Sequence, residues 1–260
     1  MWDIYDELIA AVPAELVVNE CMIGLYWTLV RSSGIGVSLT MRKEPGRLNL
    51  GRIVGMPLRE LASNIKSWNN LKAMVGLAAI NSVFNTPEHL AGLLGHPLSL
   101  QKEANAFSYY MERVRGKKVA VVGHFPVLEE LSRVSQLSIL ERSPNDGDFP
   151  DPACEYILAE QDFVFITATA LINKTLPRLL ELSRNAVTVL VGPSTPLSPV
   201  FFKYGVETLA GLVVVEPDGF WQTVQEGGRM DIFEHGGQMV LINKADLLNS
   251  IPDEAYNRQD

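Results

Sequence analysis

Apolar positions in this chain follow two different periods, and the change from one to the other falls near residue 116. Over residues 1–11, Ile4, Leu8 and Ala11 recur at helical spacing, and Pro13 stops the helix they predict. The spacing then shortens. Residues 16–23, 26–32 and 36–41 are three runs rich in Val, Ile, Leu, Tyr, Trp and Thr, separated by Gly24 and by Ser33-Gly34, and they predict an antiparallel meander. From Pro57 the helical period returns, with Leu58, Leu61, Ala62 and Ile65 on one face and Met74, Leu77, Ala78 and Ala79 within residues 71–83. After the break at Gly95-His96-Pro97 a third helix is expected over residues 100–114.

Beyond Gly116-Lys117-Lys118 the pattern becomes an alternation of strand and helix. Five largely apolar runs, at 119–122, 137–140, 163–166, 187–191 and 212–215, are each followed by a turn-forming or polar residue. Helical stretches at 126–134, 152–158, 176–182, 199–204 and 217–225 fill the intervals, and four of them begin with proline, whose missing N–H is an orphan at a helix start in any case. Strands without alternation, interleaved with helices, predict a parallel sheet covered on both faces. The expected architecture is an α+β domain over 1–115, followed by a Rossmann-like α/β domain over 116–260.

The length of 260 residues fits two domains, since single cores stop growing at roughly 250–300 residues. Hydrophobic residues make up 47% and charged residues 20%, which excludes a disordered or fibrous chain. The formal net charge of -8 has the wrong sign for a protein that neutralises phosphate backbones, so nucleic acid is not an expected partner. Cys21 and Cys154 lie in different halves and form no CxxC pair, which argues against both a disulfide framework and a thiolate zinc site. There is no apolar run of membrane-spanning length and no basic segment ahead of one, so no membrane partner is expected and the chain is read as cytoplasmic. A homodimer is the expected assembly, because twofold dimers are the commonest closed oligomers.

In an open doubly wound sheet, ligands bind beyond the carboxyl ends of the strands, so the five strand ends are the natural places for chemistry. The first is Gly123-His124-Phe125-Pro126, where His124 can serve as a ligand, a base or an ordinary loop residue. Glu141 closes the second, 18 positions after Gly123, near the spacing at which a carboxylate takes ribose hydroxyls; a solvated strand-end carboxylate explains it equally well. His124 and Glu141 are therefore the candidate catalytic pair. The turn-rich segment 142–152 that follows is read as a lid. Thr167 and Thr169, leading to Asn173, follow the third strand, and Gly192, Pro193, Ser194 and Thr195 follow the fourth in a loop stiffened by three prolines. Hydroxyls and unpaired N–H groups ahead of helices suit an anion, and one anionic group is expected between these two loops. N-capping accounts for a single Thr or Asn but not for the whole cluster. No GxGxxG, Walker, GxSxG or HExxH motif is present, and Gly34-Ile35-Gly36 lacks a third glycine, which weakens a reading as an NAD enzyme.

Taken together, Gly123 to Pro126, the Glu141 loop with Pro152 and Glu155-Tyr156, Thr167 to Thr169 with Asn173-Lys174-Thr175, and Gly192 to Pro196 resemble the putative heavy-metal chelation family. Gly34-Ile35-Gly36 and the run from Gly76 to Asn81 resemble its enolase-N-terminal-like companion domain, so the resemblance spans nearly the whole chain. It implies an enolase-N-terminal-like domain joined to a Rossmann-like one, with the site in the crevice between them. There Gly34, Gly36 and Asn81 would approach Gly123, His124, Phe125 and Glu141. The family's chelation label makes a heavy-metal ion or a metal chelate the candidate cofactor. With no paired soft ligands in the sequence, the expected ligand is an anionic small molecule or metal chelate rather than a bare ion. The alternative is a transferase-like enzyme using a nucleotide-type cofactor such as adenosylmethionine, with Glu141 on the ribose.

Overall fold

A computed structural model describes residues 2–42, 47–98, 105–126 and 128–248. The first helix, α1 (Asp3–Ala10), leads into a meander of β1 (Glu20–Ile23), β2 (Trp27–Arg31) and β3 (Ile35–Leu39). The strand expected to begin at residue 16 starts at Glu20; upstream of it Val17 makes only an isolated bridge to Pro57. Then come α2 (Leu58–Ser63), α3 (Asn70–Phe84) and α4 (Pro87–Leu94). The sequence reading passed over α4, although Thr86 caps it through His89 N at 3.1 Å and Pro87 opens it. The third expected helix shrinks to α5 (Ala106–Tyr110) followed by turns, and residues 100–104 of that expectation lie outside the described residues.

The second half forms one seven-stranded sheet. Its strands are β4 (Lys118–Val122), β5 (Gln136–Glu141), β6 (Phe149–Pro150), β7 (Phe163–Thr167), β8 (Val187–Val191), β9 (Val206–Val214) and β10 (Gly237–Asn243), in the spatial order β10-β9-β8-β7-β4-β5-β6. All neighbours pair in parallel except β10, which runs antiparallel to β9. Two strand expectations needed correction. The last apolar run, placed at 212–215, is only the end of a nine-residue strand, and β10 carried no expectation at all. Polar Glu207 and Thr208 and the break at Gly211 hide the start of β9. Thr208 is buried because Tyr110 Oη and Asn243 Oδ1 bond its hydroxyl at 2.6 and 2.8 Å.

The helices of this half are α6 (Leu128–Val134), α7 (Cys154–Ile157), α8 (Thr169–Ile172), α9 (Leu176–Leu182), α10 (Pro217–Gln225) and α11 (Lys244–Leu248). The stretch expected at 199–204 is 3-10 rather than α, and that at 152–158 is one turn of α-helix between two 3-10 turns. Residue 127, inside the helix expected from Pro126, is not among the described residues.

Alternation along β4 sorts the core. Val119 and Val121 join Phe107, Tyr110 and Phe165 on one face, whereas Ala120 and Val122 face a larger cluster that includes Leu8 of α1 and Leu77 and Ala78 of α3. That larger cluster therefore draws on both halves of the chain. Eleven of the 15 residues of α3 are buried, and it tolerates apolar surroundings on every side because its turns carry Gly76, Ala78 and Ala79. The three-stranded sheet lies between α3 and α10: Gly36 faces the helix backbone, while Trp27, Leu29, Ile35 and Val37 pack with Leu212, Val214 and Phe220. No helix among the described residues is long and apolar enough to cross a membrane.

Candidate functional site

Gly123 and Gly192 end β4 and β8 with φ of +107° and +114°, a region costly for any residue carrying a Cβ, and so turn the chain sharply at the sheet edge. A Cβ on Gly123 would lie 3.0 Å from the Thr167 side chain and 3.4 Å from Phe125 Cε2; one on Gly192 would lie 3.7 Å from Phe125 Cε1. The Phe125 ring thus bridges the ends of β4 and β8, with β7 and its Thr167 between them. Phe107 holds that ring from beneath at a centroid distance of 5.2 Å. Thr167 and Thr169 are half-buried and share a hydroxyl hydrogen bond of 3.0 Å. Five expected site residues (Gly123, Phe125, Thr167, Thr169 and Gly192) therefore meet on one edge, where the strand order turns back between β4 and β7.

His124 stands beside them with 45% of its side chain exposed, directed at the 142–150 loop. Its Nδ1 lies 3.4 Å from Asp148 Oδ2 and 3.5 Å from Asn145 Nδ2, and the Asp148 side chain is only 4% exposed. Asp148 Oδ2 also accepts from Asn145 N at 2.9 Å, so the carboxylate that folds the loop lies beside the imidazole. Glu141, at the end of the neighbouring β5, uses Oε1 to accept from Arg142 N at 2.7 Å and Ser143 N at 3.4 Å. One of its two oxygens is thereby occupied in shaping its own loop.

The remaining expected residues lie deeper. Asn81 is fully buried; its Nδ2 donates to Val37 O at 2.7 Å and to Ser194 O at 2.9 Å, tying β3 to the loop after β8. Ser194 Oγ accepts from Leu39 N at 2.9 Å. Asn85 does similar work: Nδ2 donates to Thr195 O at 2.8 Å and Leu212 O at 2.9 Å, and Oδ1 accepts from Leu197 N at 2.9 Å. Pro193 is half-buried between Gly192 and Ser194 in this loop. Gly34 and Gly36 face α3: a Cβ on Gly36 would sit 2.0 Å from Ala78 O, and one on Gly34 2.5 Å from Thr86 Cγ2. Close backbone approach accounts for both glycines. Asn173 accepts from Thr175 N and Oγ1 at 3.1 and 2.6 Å, a local turn.

Several backbone donors at the expected anion site are committed within the protein. Ala168 N donates to Val191 O, Thr195 N to Gly192 O, Leu197 N to Asn85 Oδ1, and Thr169 N to Thr167 Oγ1. The helix that follows β7 has only four residues, so its dipole is small. What the edge offers a ligand is the pair of threonine hydroxyls and the imidazole.

A bare heavy-metal ion fits these residues poorly. Among the described residues no group of three His, Cys, Asp or Glu side chains is placed to hold one. Burial pushes the Cys21 thiol up to about 11 and the Cys154 thiol up to about 12, so neither is a ready thiolate. His89 is pushed below the ordinary imidazole range by burial and packs against Phe84 at 5.3 Å.

Three residues that matter here were passed over in the sequence. Asp148 was one acid among three in a loop read as a lid. Asn85 lay in an unassigned segment. Lys174 was quoted without a role, yet it is 7% exposed, has φ of +66°, and donates from Nζ to Ser67 O and Ile172 O, capping two helix ends from opposite halves. Burial pulls its amine down to about 8. Concave surface also exists away from the edge, in a groove of about 660 Å³ where Arg31 of β2 meets Trp221 and Gln225 of α10.

Residues 105–243 match the DUF364 family and residues 5–84 match DUF4213, both described as "Putative heavy-metal chelation". A crystal structure of a DUF364-family protein of unknown function from Desulfitobacterium hafniense superposes with a TM-score of 0.87 at 42% identity, covering 94% of this chain and 99% of that one. Another from Pyrococcus horikoshii gives a TM-score of 0.77 at 23% identity over 92% of this chain and 98% of that one, a likeness of fold. An uncharacterized protein of Methanocaldococcus jannaschii is 31% identical over 211 residues, 74% of this chain and 76% of that protein.

Proposed function

Because the chain belongs to the DUF364 family, described as "Putative heavy-metal chelation", we propose that it handles a metal held within an anionic small-molecule chelate, at the carboxyl edge of the seven-stranded sheet where the two halves meet. The observation that carries this reading is a mismatch. Polar side chains gather at the ends of β4, β5 and β7, yet no three metal-ligating side chains converge among the described residues. A metal bound there needs donors of its own. In this reading His124 contacts the metal, Thr167 and Thr169 donate hydroxyls to the chelator's carboxylate oxygens, and Ser194 with Asn81 holds the loop that walls the site.

The domain reading belongs to the same proposal. The order β6-β5-β4-β7-β8-β9, with its turn-back between β4 and β7, supports a Rossmann-like second domain from residue 116. The meander followed by helices supports an enolase-N-terminal-like first domain to residue 115. Calorimetric titration of metal-free protein separates the possibilities. The chelate should bind stoichiometrically while the free ion binds weakly; tight binding of the free ion alone would remove the reading. The cytoplasmic homodimer remains part of the proposal, and light scattering that returns only monomer removes the dimer.

A second reading rests on Glu141, which ends the strand next to the turn-back, where a nucleotide ribose is bound in doubly wound sheets. It supports a transferase using adenosylmethionine, with Glu141 Oε2 as the acceptor of the ribose hydroxyl. A rise in melting temperature with adenosylmethionine that Glu141→Ala abolishes would favour it over the chelate.

A further inference from the structure

We infer that the junction of the two halves is a binding site for one buried water molecule, held by Asn81 Oδ1, Ser38 Oγ and Thr195 Oγ1 where α3, β3 and the loop after β8 meet. The inference is independent of the chelate reading and stands whether or not that reading does.

Three fully buried side chains carry the argument. Ser38, Asn81 and Thr195 are closed off from solvent, and Ser38 Oγ, Asn81 Oδ1 and Thr195 Oγ1 have no hydrogen-bond partner among the described residues. An unpaired oxygen in the interior is costly, and folded proteins nearly always give it a partner.

The three oxygens belong to one neighbourhood, with Asn81 at its centre. Its Nδ2 donates to Val37 O at 2.7 Å and to Ser194 O at 2.9 Å, and only the nitrogen end of the amide can satisfy two carbonyls. Oδ1 is thereby the end left over, and it needs a donor. Ser38 follows Val37 and Thr195 follows Ser194, so each unpaired hydroxyl stands one residue, about 3.8 Å along the chain, from a carbonyl that Asn81 holds. Both residues lie against α3. By strand alternation Ser38 shares the side of β3 occupied by Gly36, where a Cβ would meet Asn81 C at 2.7 Å. Asn85, one helical turn beyond Asn81, donates to Thr195 O at 2.8 Å, so the 194–195 peptide runs along the same helix.

No two of these oxygens bond each other, so a small bridging molecule is required. It must donate to the amide oxygen and accept from the hydroxyls, and it must be neutral, because a charged ligand would lose its hydration on entering the interior. Water meets all three demands. Donating to Asn81 Oδ1 and accepting from Ser38 and Thr195, it makes about the three bonds usual for an internal water. It then joins β3 of the first half to the loop that follows β8 of the second.

A high-resolution crystal structure of the wild-type protein tests the site, and urea unfolding of apolar variants tests its worth. Density for a water is expected within about 3.2 Å of Asn81 Oδ1 and of at least one of the two hydroxyls. Thr195→Val, which keeps the shape of the side chain, and Ser38→Ala should each raise the unfolding equilibrium constant about fivefold, the worth of one hydrogen bond. Because both act through one molecule, the double variant should raise it by less than the product of the two. An oxygen that is merely unpaired gives the opposite sign, since its removal then relieves the interior. Lack of that density, a hydroxyl bonded directly to Oδ1, or a Thr195→Val protein at least as stable as wild type overturns the water site. Where a variant does not fold, the wild-type structure decides alone.

Discussion

Two polar clusters, one buried where the halves join and one at the open sheet edge, have opposite fates. At the junction of the halves, Asn81, Asn85 and Ser194 are buried, and their amides and hydroxyls bond backbone groups of β3, of β9 and of the loop after β8. At the edge, His124 is 45% exposed and its partners are side chains of one loop. The residue types do not separate the two clusters, since Asn81 and Asn85 stand in one and Asn145 in the other. What separates them is where the bonds go: the junction amides donate to backbone groups inside the protein, with Asn81 Oδ1 left buried without a hydrogen-bond partner among the described residues, whereas the imidazole stands half in water. A polar group that is spent holds the fold; one that is half spent and wet can hold a ligand.

The largest effect should come from a glycine at the junction. In Gly36→Ala the new Cβ would meet Ala78 O at 2.0 Å and Ser82 N at 2.1 Å, both backbone, so β3 or α3 must move. We expect a loss of more than about 3 kcal/mol, or failure to fold, from overpacking between two rigid elements. The edge glycine Gly123→Ala meets side-chain atoms of Thr167 at 3.0 Å and bears left-handed strain, worth about 1–3 kcal/mol. Urea denaturation of both variants orders them, and the reverse order would break the distinction between a rigid junction and a yielding edge.

Next in size is Asn85→Ala. It strands Thr195 O, Leu212 O and Leu197 N in the interior, and a cost of about 2–4 kcal/mol is expected from unpaired buried groups. His124→Ala, at the edge, should change stability by no more than about 0.5 kcal/mol. Thermal melts that rank the two equally would show that the edge is as load-carrying as the junction.

The strands 119–122, 137–140, 163–166 and 187–191 were legible because each is a short apolar run closed by turn chemistry, and each is a β-strand in the structure. The strand β10 was passed over although Met239-Val240-Leu241-Ile242 is an apolar run of the same kind as 119–122; its antiparallel place beside β9 is a matter of tertiary pairing. The strand ends named from sequence include five residues that do converge, because a parallel sheet delivers all its carboxyl ends to one edge. Asn81 and Ser194 look the same as those residues in sequence. Only burial reveals that Asn81 Nδ2 is committed twice, to Val37 O and Ser194 O. Asp148 was invisible because its meaning depends on a loop returning to His124, a contact across 24 positions that no local pattern encodes.

Lys174 extends the comparison to pH. Its Nζ joins Ser67 O of the first half to Ile172 O of the second without a carboxylate, and burial brings its pKa down to about 8 from an ordinary 10.5. Between those values the unfolded chain binds more protons than the folded one, so stability should rise with pH across that window, by up to about 1.4 kcal/mol per unit. Below about pH 8 both states are charged and the desolvation penalty is fully present. Lys174→Met should flatten the rise. Melts of wild type and variant from pH 7.5 to 10.5 test it, and equal slopes would show that the amine is solvated rather than part of the sealed junction.

The smallest stability change, and the sharpest division, is expected from two hydroxyls that the sequence grouped as one anion site. Ser194→Ala leaves Leu39 N without its acceptor at the buried junction, and about 1–3 kcal/mol should be lost. Thr169→Ala removes a hydroxyl whose only side-chain partner among the described residues is the half-buried Thr167, 3.0 Å away, and stability should stay within about 0.5 kcal/mol. Binding should divide the other way. A hydroxyl donating to a carboxylate is worth about 1.5–3 kcal/mol, so Thr169→Ala should weaken copper(II) iminodiacetate at His124 by at least tenfold. Ser194→Ala, once allowance is made for its unfolded fraction, should bind that complex within about twofold of wild type, a difference of only ~0.4 kcal/mol. If both variants lose stability and neither loses affinity, the threonine pair belongs to the framework as Ser194 does, and the edge contracts to His124 and its carboxylate.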